Sequence, residues 1–417
     1  MIKKILALLT ALTVSAAVFC GCSLGGDKDN KGDSSSAEVS GSAADANSAA
    51  DTADSAAQTQ AAIPEAKLTI DGKEVDTKDL VMLTIDGKDI DFDTFRYYYF
   101  STINKIAQNY GATLDTIRET ENGFEMLMED VISTIKQDYV TYSLAAENDI
   151  TLTDEDKAEN QATYDEIKTN AGSEEDYQTM LKQGYLTDDV VKQMIEQATL
   201  YTKTASLFVD GGKYATSKEE FRKIVKDPDV YCRVRSILIP YFAKAEITDE
   251  DVKKEYDSYS LSQKGDAKKS AYNALSEEDQ KKVSDESEAL AKEVLEKAKN
   301  GDDFEELLKE YGWDPGMESK PEGYYFTHET SFVPEFLEAS FALKEDSVVD
   351  DIVVSDSYGW FIIKRLPIDM DYVEENIDSM IQDYDLPKRQ QVYLDAMDKM
   401  KVEFSDTYNK LTIDSIQ

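Results

Sequence analysis

The sequence predicts an α+β fold, in which a module of strands and helices at residues 229–367 is inserted in a mainly helical domain. From about residue 93 to 227, apolar residues recur at helical spacing, and polar N-cap residues precede acidic first turns at Thr153 or Thr151, Ser173, Thr187 and Ser217. After residue 228, short β-rich runs alternate with amphipathic helices. The helical pattern then returns in the last fifty residues. Strands and helices mixed in this order are typical of a compact α+β domain.

The helical domain is predicted to span residues 64–228 and to open with two small hairpins. The stretch "LTIDGK" at 68–73 returns at 83–88, and each copy alternates apolar and polar residues before an Asp-Gly turn. Six helices should follow, at 93–109, 124–148, 153–170, 173–184, 187–209 and 217–226. Residues 368–417 are predicted to form C-terminal helices, including the amphipathic "YLDAMDKMKVEF", that pack on this domain.

The module at 229–367 should contain four strands and three helices, interrupted by a charged, helix-prone insert at 247–284. Its last strand reads "YGWFIIKRL" (358–366). A period of two places Trp360 and Ile362 on one face and Phe361 and Ile363 on the other, so both faces require cover. An exposed edge strand is therefore not expected here.

Residues 1–22 have the pattern of an export signal. Two lysines precede an apolar run at 5–19, and "VFCGCS" resembles a bacterial lipobox in which Cys22 is the lipidated residue. Residues 23–63, rich in Ser, Ala, Gly and Asp, are predicted to be a disordered linker. The expected localisation is therefore extracytoplasmic, with the chain anchored to the cell membrane by lipid. A soluble secreted protein with two incidental cysteines is the alternative.

Charge and composition exclude several classes of function. Asp and Glu outnumber Lys and Arg by 85 to 45, and a formal charge of −40 argues against nucleic acid or anionic lipid headgroups as partners. The single histidine, His328, is expected to lie in an exposed loop and cannot supply a His-dependent triad or a multi-His metal site. No Gly-rich loop opens a helix after a strand. We therefore expect no metal and no cofactor.

Five motifs of the module carry a family resemblance. The stretches "VRSILIP", "NGDDFEELLKEY", "GYYF", "VPEFLEASFALK" and "YGWFIIKR" together resemble the parvulin family of peptidyl-prolyl cis/trans isomerases. The lipidated signal and the split helical domain are similar to those of PrsA-type extracytoplasmic foldases and SurA. The resemblance implies a chaperone and isomerase that acts on unfolded or Pro-containing exported polypeptides, and it leaves a homodimer open.

The same resemblance implies the site residues. The apolar cup for the proline ring corresponds to Phe332 and Phe336, and the acidic or thiol position of the family's central network falls on Asp314. The two family histidine positions fall on Ser236 and Phe361. Ser236 and Asp314 are thus the candidate catalytic residues, and the three phenylalanines are the candidate substrate-binding residues.

Each of these residues also has a purely structural interpretation. Asp314 precedes a proline and suits a turn or a helix terminus. Phe332, Phe336 and Phe361 suit a plain hydrophobic core. The aromatic run "YYYF" (97–100) is more typical of an interhelix core, although it is also the most apolar candidate surface for unfolded clients.

Three functions remain open from the sequence. The first is a lipid-anchored foldase with an active isomerase module. The second is a holdase chaperone whose parvulin-like module is catalytically degenerate, since both family histidines are substituted. A solute-binding lipoprotein is a remote third, because it would need repeated βαβ units and residues 93–227 show helices without intervening strands.

Overall fold

A computed structural model describes residues 65–417. The predicted signal, the lipidated Cys22 and the linker at 23–63 lie outside the described residues. The chain divides into two compact units, which we call the first and second unit. The first unit comprises the described residues up to Ser206 together with Gln390–Gln417, and the second unit is Leu207–Arg389. The predicted fold class, an α+β module set between two parts of a mainly helical domain, is confirmed.

The unit boundaries differ by about twenty residues from the predicted domain boundaries at 229 and 367. The cause is a small apolar cluster in which Phe221, Val373 and Ile377 pack with Tyr231. The helices that carry Phe221 and Val373 flank the module in sequence, and burying their apolar faces joins them to the second unit. The domain assignment from sequence otherwise stays a prediction.

The first unit begins with the two predicted hairpins, and the structure confirms both. Strand β1 (Leu68–Ile70) pairs with β2 (Lys73–Val75), and β3 (Val81–Ile85) pairs with β4 (Lys88–Asp91). At both turns the Asp and the Gly have positive φ angles, 51° and 76° in the first turn and 49° and 78° in the second. Two successive left-handed residues are the requirement of a tight hairpin turn, which explains the repeated Asp-Gly.

Six helices of the first unit follow: α1 (Phe92–Tyr110), α2 (Leu114–Glu119), α3 (Gly123–Glu147), α4 (Asp154–Asn170), α5 (Glu174–Gln183) and α6 (Asp188–Ala205). Five of them were predicted, and only the short α2 was not. The expected caps are present, since Thr153, Ser173 and Thr187 each accept a hydrogen bond from a backbone N–H in the first turn. Tyr98 and Tyr99 are buried, so the aromatic run of α1 contributes to the interhelix core.

Burial gives α3 one strongly perturbed carboxyl group. Asp138 accepts a 2.8 Å hydrogen bond from the Tyr98 hydroxyl of α1. Desolvation by burial raises the pKa of Asp138 to about 6, although the Tyr98 hydroxyl and Lys105 oppose the shift. A folded-state pKa above the unfolded value contributes stability that is complete below about pH 4 and is lost as the pH rises through about 6. At neutral pH the ionised Asp138 therefore destabilises the first unit.

Asp138→Asn should accordingly raise the free energy of unfolding by about 1–2 kcal/mol near neutral pH and by nothing near pH 4. The asparagine oxygen can still accept the hydrogen bond from the Tyr98 hydroxyl, so the variant differs from the wild type mainly in the charge of this side chain. Urea unfolding followed at both pH values measures the difference. Asp130→Asn removes an exposed carboxylate from the same helix and is the matched control. An equal gain for both variants, or a gain at the acid pH alone, would contradict the prediction.

The structure of the C-terminal part contradicts the prediction that "YLDAMDKMKVEF" (393–404) forms one continuous helix. The second unit ends within α15 (Leu386–Lys399), and the next residues form strand β9 (Val402–Phe404). This strand pairs antiparallel with β3, which places Val402 opposite Ile85 and Phe404 opposite Leu83. The ladder to β3 supplies the backbone hydrogen bonds that the helix would have provided, so tertiary pairing overrides the local helical pattern.

The second unit contains helix α7 (Lys218–Ile224) and a four-stranded antiparallel sheet in the order β6–β5–β8–β7. Its strands are β5 (Cys232–Pro240), β6 (Tyr324–Phe326), β7 (Val353–Ser355) and β8 (Gly359–Leu366). Its other helices are α8 (Glu250–Glu255), α9 (Leu261–Asn273), α10 (Glu277–Lys299), α11 (Phe304–Tyr311), α12 (Pro315–Ser319), α13 (Pro334–Ala342) and α14 (Met370–Tyr384). The predicted insert is thus helical, and neither α8 nor α9 buries a residue.

Both faces of β8 are covered, as its sequence predicted. Trp360 and Ile362 are buried on one face, and Phe361 and Ile363 are buried on the other. β5 and β8 are the two central strands and pair along eight residues. The core of the second unit therefore lies on both sides of this strand pair.

Two further observations concern the described part of the chain. No helix within residues 65–417 is both long enough and apolar enough to span a bilayer.

Cys232 is the free cysteine of these residues, and burial raises the pKa of its thiol to about 11. A buried thiol with so high a pKa is a packing residue and not a nucleophile.

Candidate substrate cleft

The candidate cleft lies on the face of the central strands that α13 covers. Directly opposed residues of an antiparallel pair point to the same face, and the register pairs Ser236 with Ile363 and Leu238 with Phe361. Ser236 and Phe361 are therefore diagonal neighbours on one face. Phe336 of α13 packs edge-on against Phe361, with 5.1 Å between the ring centroids. The structure thus brings together three of the predicted site residues.

An aromatic cluster fills this face. The Phe332 ring contacts Phe326, Phe336 and Tyr324 at centroid distances of 5.2, 5.4 and 5.3 Å. Phe336 and Phe361 are only 4% and 8% exposed, whereas Phe332 is half-buried at the rim. The residues predicted to form the cup therefore fill it with their own rings, and Phe336 and Phe361 are part of the hydrophobic core as well as candidate walls.

Local structure explains how Phe332 and Phe336 reach the sheet. β6 ends at Phe326, and a turn at 327–330 is closed by a 3.1 Å hydrogen bond from the Thr327 N–H to the Thr330 hydroxyl. Pro334 then occupies the first turn of α13, where its missing N–H removes no helical hydrogen bond. The turn and the helix start thus direct both phenylalanines toward β5 and β8.

Ser236 supplies a polar atom inside this apolar face. Its side chain is 1% exposed, and its hydroxyl has no hydrogen-bond partner in the described structure. A buried polar group without a partner costs about 1–3 kcal/mol of stability. The hydrogen-bonding capacity of this buried hydroxyl is therefore not used by the described residues.

Asp314 lies at the N-terminus of α12 and performs a structural role there. One carboxylate oxygen accepts from the Gly316 N–H at 2.9 Å, and the other accepts from the Tyr324 hydroxyl at 2.9 Å. A Cβ at Gly316 would overlap the Tyr324 hydroxyl, so only glycine permits this approach. The neighbouring Trp313 N–H donates to the Leu238 carbonyl at 3.0 Å. This hydrogen bond fixes the loop to β5 at the residue that pairs with Phe361.

The sequence did not identify Tyr324 or Gly316 as part of this arrangement. The signal for Tyr324 was the first aromatic residue of "GYYF" in a family motif, and the signal for Gly316 was its place after Asp-Pro. A catalytic role for Asp314 and Ser236 stays a prediction, as does substrate binding by the three phenylalanines. Asp314, which falls on the acidic or thiol position of the family's network, is hydrogen-bonded here by the Tyr324 hydroxyl and the Gly316 N–H.

His328 is exposed, as expected, and its ring stacks on Phe341 with a centroid distance of 3.6 Å. Within residues 65–417 no group of three or more His, Cys, Asp or Glu side chains is arranged to hold a metal ion.

Comparison with known proteins agrees with the family resemblance. The family described as PPIC-type PPIase domain matches residues 260–366. The Foldase protein PrsA of Halalkalibacterium halodurans is 41% identical over 78 residues, which are 19% of this chain and 23% of that protein. A probable parvulin-type peptidyl-prolyl cis-trans isomerase of Bordetella pertussis is 27% identical over 164 residues, which are 38% of this chain and 60% of that protein.

A solved structure of PrsA from Bacillus anthracis aligns at 18% identity with a TM-score of 0.30 and covers 63% of this chain and 94% of that one. The matches to the first curated relatives span less than two thirds of those proteins' own lengths. The matched family range begins within the predicted insert and leaves out strand β5, so the position of Ser236 lies outside it.

The second unit therefore carries a parvulin-type, PPIC-type peptidyl-prolyl isomerase domain. The similarity to foldase and isomerase relatives, which covers parts of this chain, agrees with the predicted family.

Proposed function

We propose that this protein is a lipid-anchored extracytoplasmic foldase, which isomerises Xaa-Pro bonds in exported polypeptides and holds unfolded segments of them. The family of the 260–366 domain and the foldase relatives support the isomerase and chaperone parts. The lipobox-like sequence around Cys22 supports the anchor and the location. One observation supports the active centre above all: an aromatic cluster shares a sheet face with the buried Ser236 hydroxyl, which has no hydrogen-bond partner among the described residues.

Proline isomerisation requires no reactive nucleophile. The barrier of about 18–20 kcal/mol comes from partial double-bond character of the C–N bond, and no covalent bond is broken when it is crossed. The planar amide is more polar than the twisted one, so an apolar site favours the twisted transition state. Phe332, Phe336 and Phe361 provide such a surface for the proline ring and the amide.

The polar groups act at defined points in this proposal. In the twisted amide the nitrogen regains its lone pair, and the Ser236 hydroxyl donates a hydrogen bond to it. The Tyr324 hydroxyl, oriented by Asp314, lies at the rim beside Phe332 and orients the backbone of the bound segment. Because Phe361 is 8% exposed, entry of the proline ring requires its side chain to change rotamer.

Refolding of a client protein whose slow phase is proline isomerisation tests this function. The full chain at catalytic amounts should accelerate that phase, and at equimolar amounts it should reduce aggregation of the same client. Ser236→Ala should slow the acceleration and leave aggregation suppression unchanged. The foldase proposal would be wrong if the wild type affected neither the refolding rate nor the aggregation.

A holdase with a degenerate module is the second candidate. It is favoured by Phe361, a core ring at a family histidine position, which packs on Phe336 and leaves the cleft closed. Ser236→His combined with Phe361→His distinguishes the two candidates. Activity that appears only in the double variant would support the holdase, and activity in the wild type would exclude it.

A further inference from the structure

A groove of about 630 Å³ lies wholly within the first unit, between α3 and the segment that includes β9. We call it the tail groove. On α3, Phe124, Met128 and Ile132 recur at intervals of four and form one continuous apolar face. The opposite wall is formed by apolar and aromatic residues near the C-terminus, which are Met397, Phe404, Tyr408 and Leu411. This volume lies within the range of specific binding sites, roughly 300–1,000 Å³.

The wall of the tail groove opposite α3 is ordered and yet open to solvent. The Phe404 ring stacks on Tyr408 at 4.4 Å, and Tyr408 packs edge-on against Phe95 of the core at 5.7 Å. Phe404 is nevertheless 43% exposed. Two methionines in the walls can adapt to side chains of different shapes. The exposed Phe404 ring is thus supported from below by a packed aromatic layer.

The backbone of β9 adds directional hydrogen-bonding groups beside this wall. In the described sheet, with strand order β4–β3–β9, β9 is an edge strand. The Ser405 N–H donates to the Met82 carbonyl, and the Asp86 N–H donates to the Lys401 carbonyl. Since the groups alternate along a strand, those of Val402 and Phe404 point away from β3. An extended peptide can pair there as an additional strand.

Charge selects among the occupants. Glu125 and Glu129 project from α3 at the rim, with Lys136 further along. The formal charge of the whole chain is −40. A second copy of this chain would present the same acidic surface and be repelled, whereas a peptide with basic flanks would be attracted.

We propose that the tail groove binds extended apolar segments with basic flanks in unfolded polypeptides, and that it is a client-binding site separate from the isomerase cleft. This inference rests on the proposed chaperone function and names the surface that performs it. The apolar side chains of the segment occupy the groove, and its backbone pairs with β9.

Fluorescence anisotropy with a labelled peptide tests the proposal on the full chain. The probe is an extended peptide with alternating Leu and Phe residues and two lysines at each end. Phe404→Ser should weaken binding of this peptide at least about fivefold, because the variant removes the exposed ring of the wall opposite α3. Tyr110→Ser is the matched control, since Tyr110 is 81% exposed in the same unit and lies outside the groove. Equal effects of the two substitutions would overturn the proposal.

A charge-reversed variant provides a second readout. Glu125→Lys with Glu129→Lys should weaken binding of the Lys-flanked peptide and strengthen binding of a Glu-flanked peptide of the same core. If the preference for the Lys-flanked over the Glu-flanked peptide did not change, Glu125 and Glu129 at the rim would not select the charge of the client, and that part of the proposal would be wrong. If the wild type instead formed a dimer that Phe404→Ser dissociated in sedimentation velocity, the groove would be a self-interface and the proposal would be wrong.

The failure of this inference is distinguishable from failure of the proposed function. Should Phe404→Ser bind peptide and suppress aggregation as the wild type does, the clients bind elsewhere and the chaperone function stands. Should the wild type bind no peptide and suppress no aggregation, the chaperone function itself is excluded.

Discussion

Arg365→Ala should lower the free energy of unfolding of the second unit by about 3–5 kcal/mol, because it leaves several partly buried carbonyl groups without their donor and removes a buried side chain. Arg365 is 5% exposed. Its guanidinium donates to Phe341 O at 3.1 Å, Leu343 O at 2.9 Å and Pro228 O at 2.7 Å. These acceptors belong to the end of α13 and to the chain before β5. A single side chain therefore connects the helix that covers the cleft to the sheet beneath it.

Arg222→Ala is the matched control. Arg222 donates two hydrogen bonds, at 2.6 and 2.7 Å, to the exposed Glu374. Exposed ion pairs contribute about 0–1 kcal/mol, so its loss should be small. Arg365→Lys, which keeps the charge and loses the planar arrangement of donors, should fall between the two. Urea unfolding of the full chain, monitored by the fluorescence of Trp313 and Trp360, reports on the second unit. A loss for Arg365→Ala no larger than that for Arg222→Ala would contradict the structural role.

Phe336 has the largest expected effect on the cleft. Phe336→Ala should destabilise the second unit by about 3–5 kcal/mol through the cavity it leaves, which would confuse a loss of fold with a loss of binding. Phe336→Leu conserves more of the volume and should cost less than about 1.5 kcal/mol. We expect it still to weaken binding of an Xaa-Pro peptide about tenfold, because the ring that faces Phe361 is removed.

Phe341→Leu separates the cleft from the rest of the cluster. The Phe341 ring packs on Phe326 and His328. Phe341→Leu should lower the free energy of unfolding by about as much as Phe336→Leu does. It should leave peptide binding unchanged, as measured by the chemical shifts of the peptide during titration. Equal weakening by Phe336→Leu and Phe341→Leu would assign the effect to general loosening of the core, and Phe336 would then be a core residue only.

Most elements of this fold could be predicted from local sequence. Helix caps such as Thr153 and the repeated Asp-Gly turns act within a few residues, so their signals are readable without tertiary structure. Strand β9 was missed because its stabilisation comes from pairing with β3, which lies more than three hundred residues earlier in the chain. The packing of α7 on α14 was not readable from the sequence for a similar reason, since the two helices meet only through tertiary contacts.

The candidate site was predictable as a set of positions but not as a geometry. The register that places Ser236 diagonal to Phe361 depends on the pairing of β5 with β8. The closure of the cup by Phe336 and Phe361 depends on how α13 packs on that face. Even the amphipathic face of α3 gives no indication of the tail groove, because its second wall comes from residues 397–411.

Exchange spectroscopy on an Xaa-Pro peptide with catalytic amounts of the full chain tests the isomerase claim most directly. Uncatalysed exchange takes roughly tens to hundreds of seconds, so catalysis produces cross-peaks that the peptide alone lacks. We predict cis–trans exchange cross-peaks with the wild type that are strongly reduced by Phe336→Leu and unchanged by Phe341→Leu. Peptide shifts without any exchange would contradict the claim and would make the domain a module that binds proline segments without isomerising them.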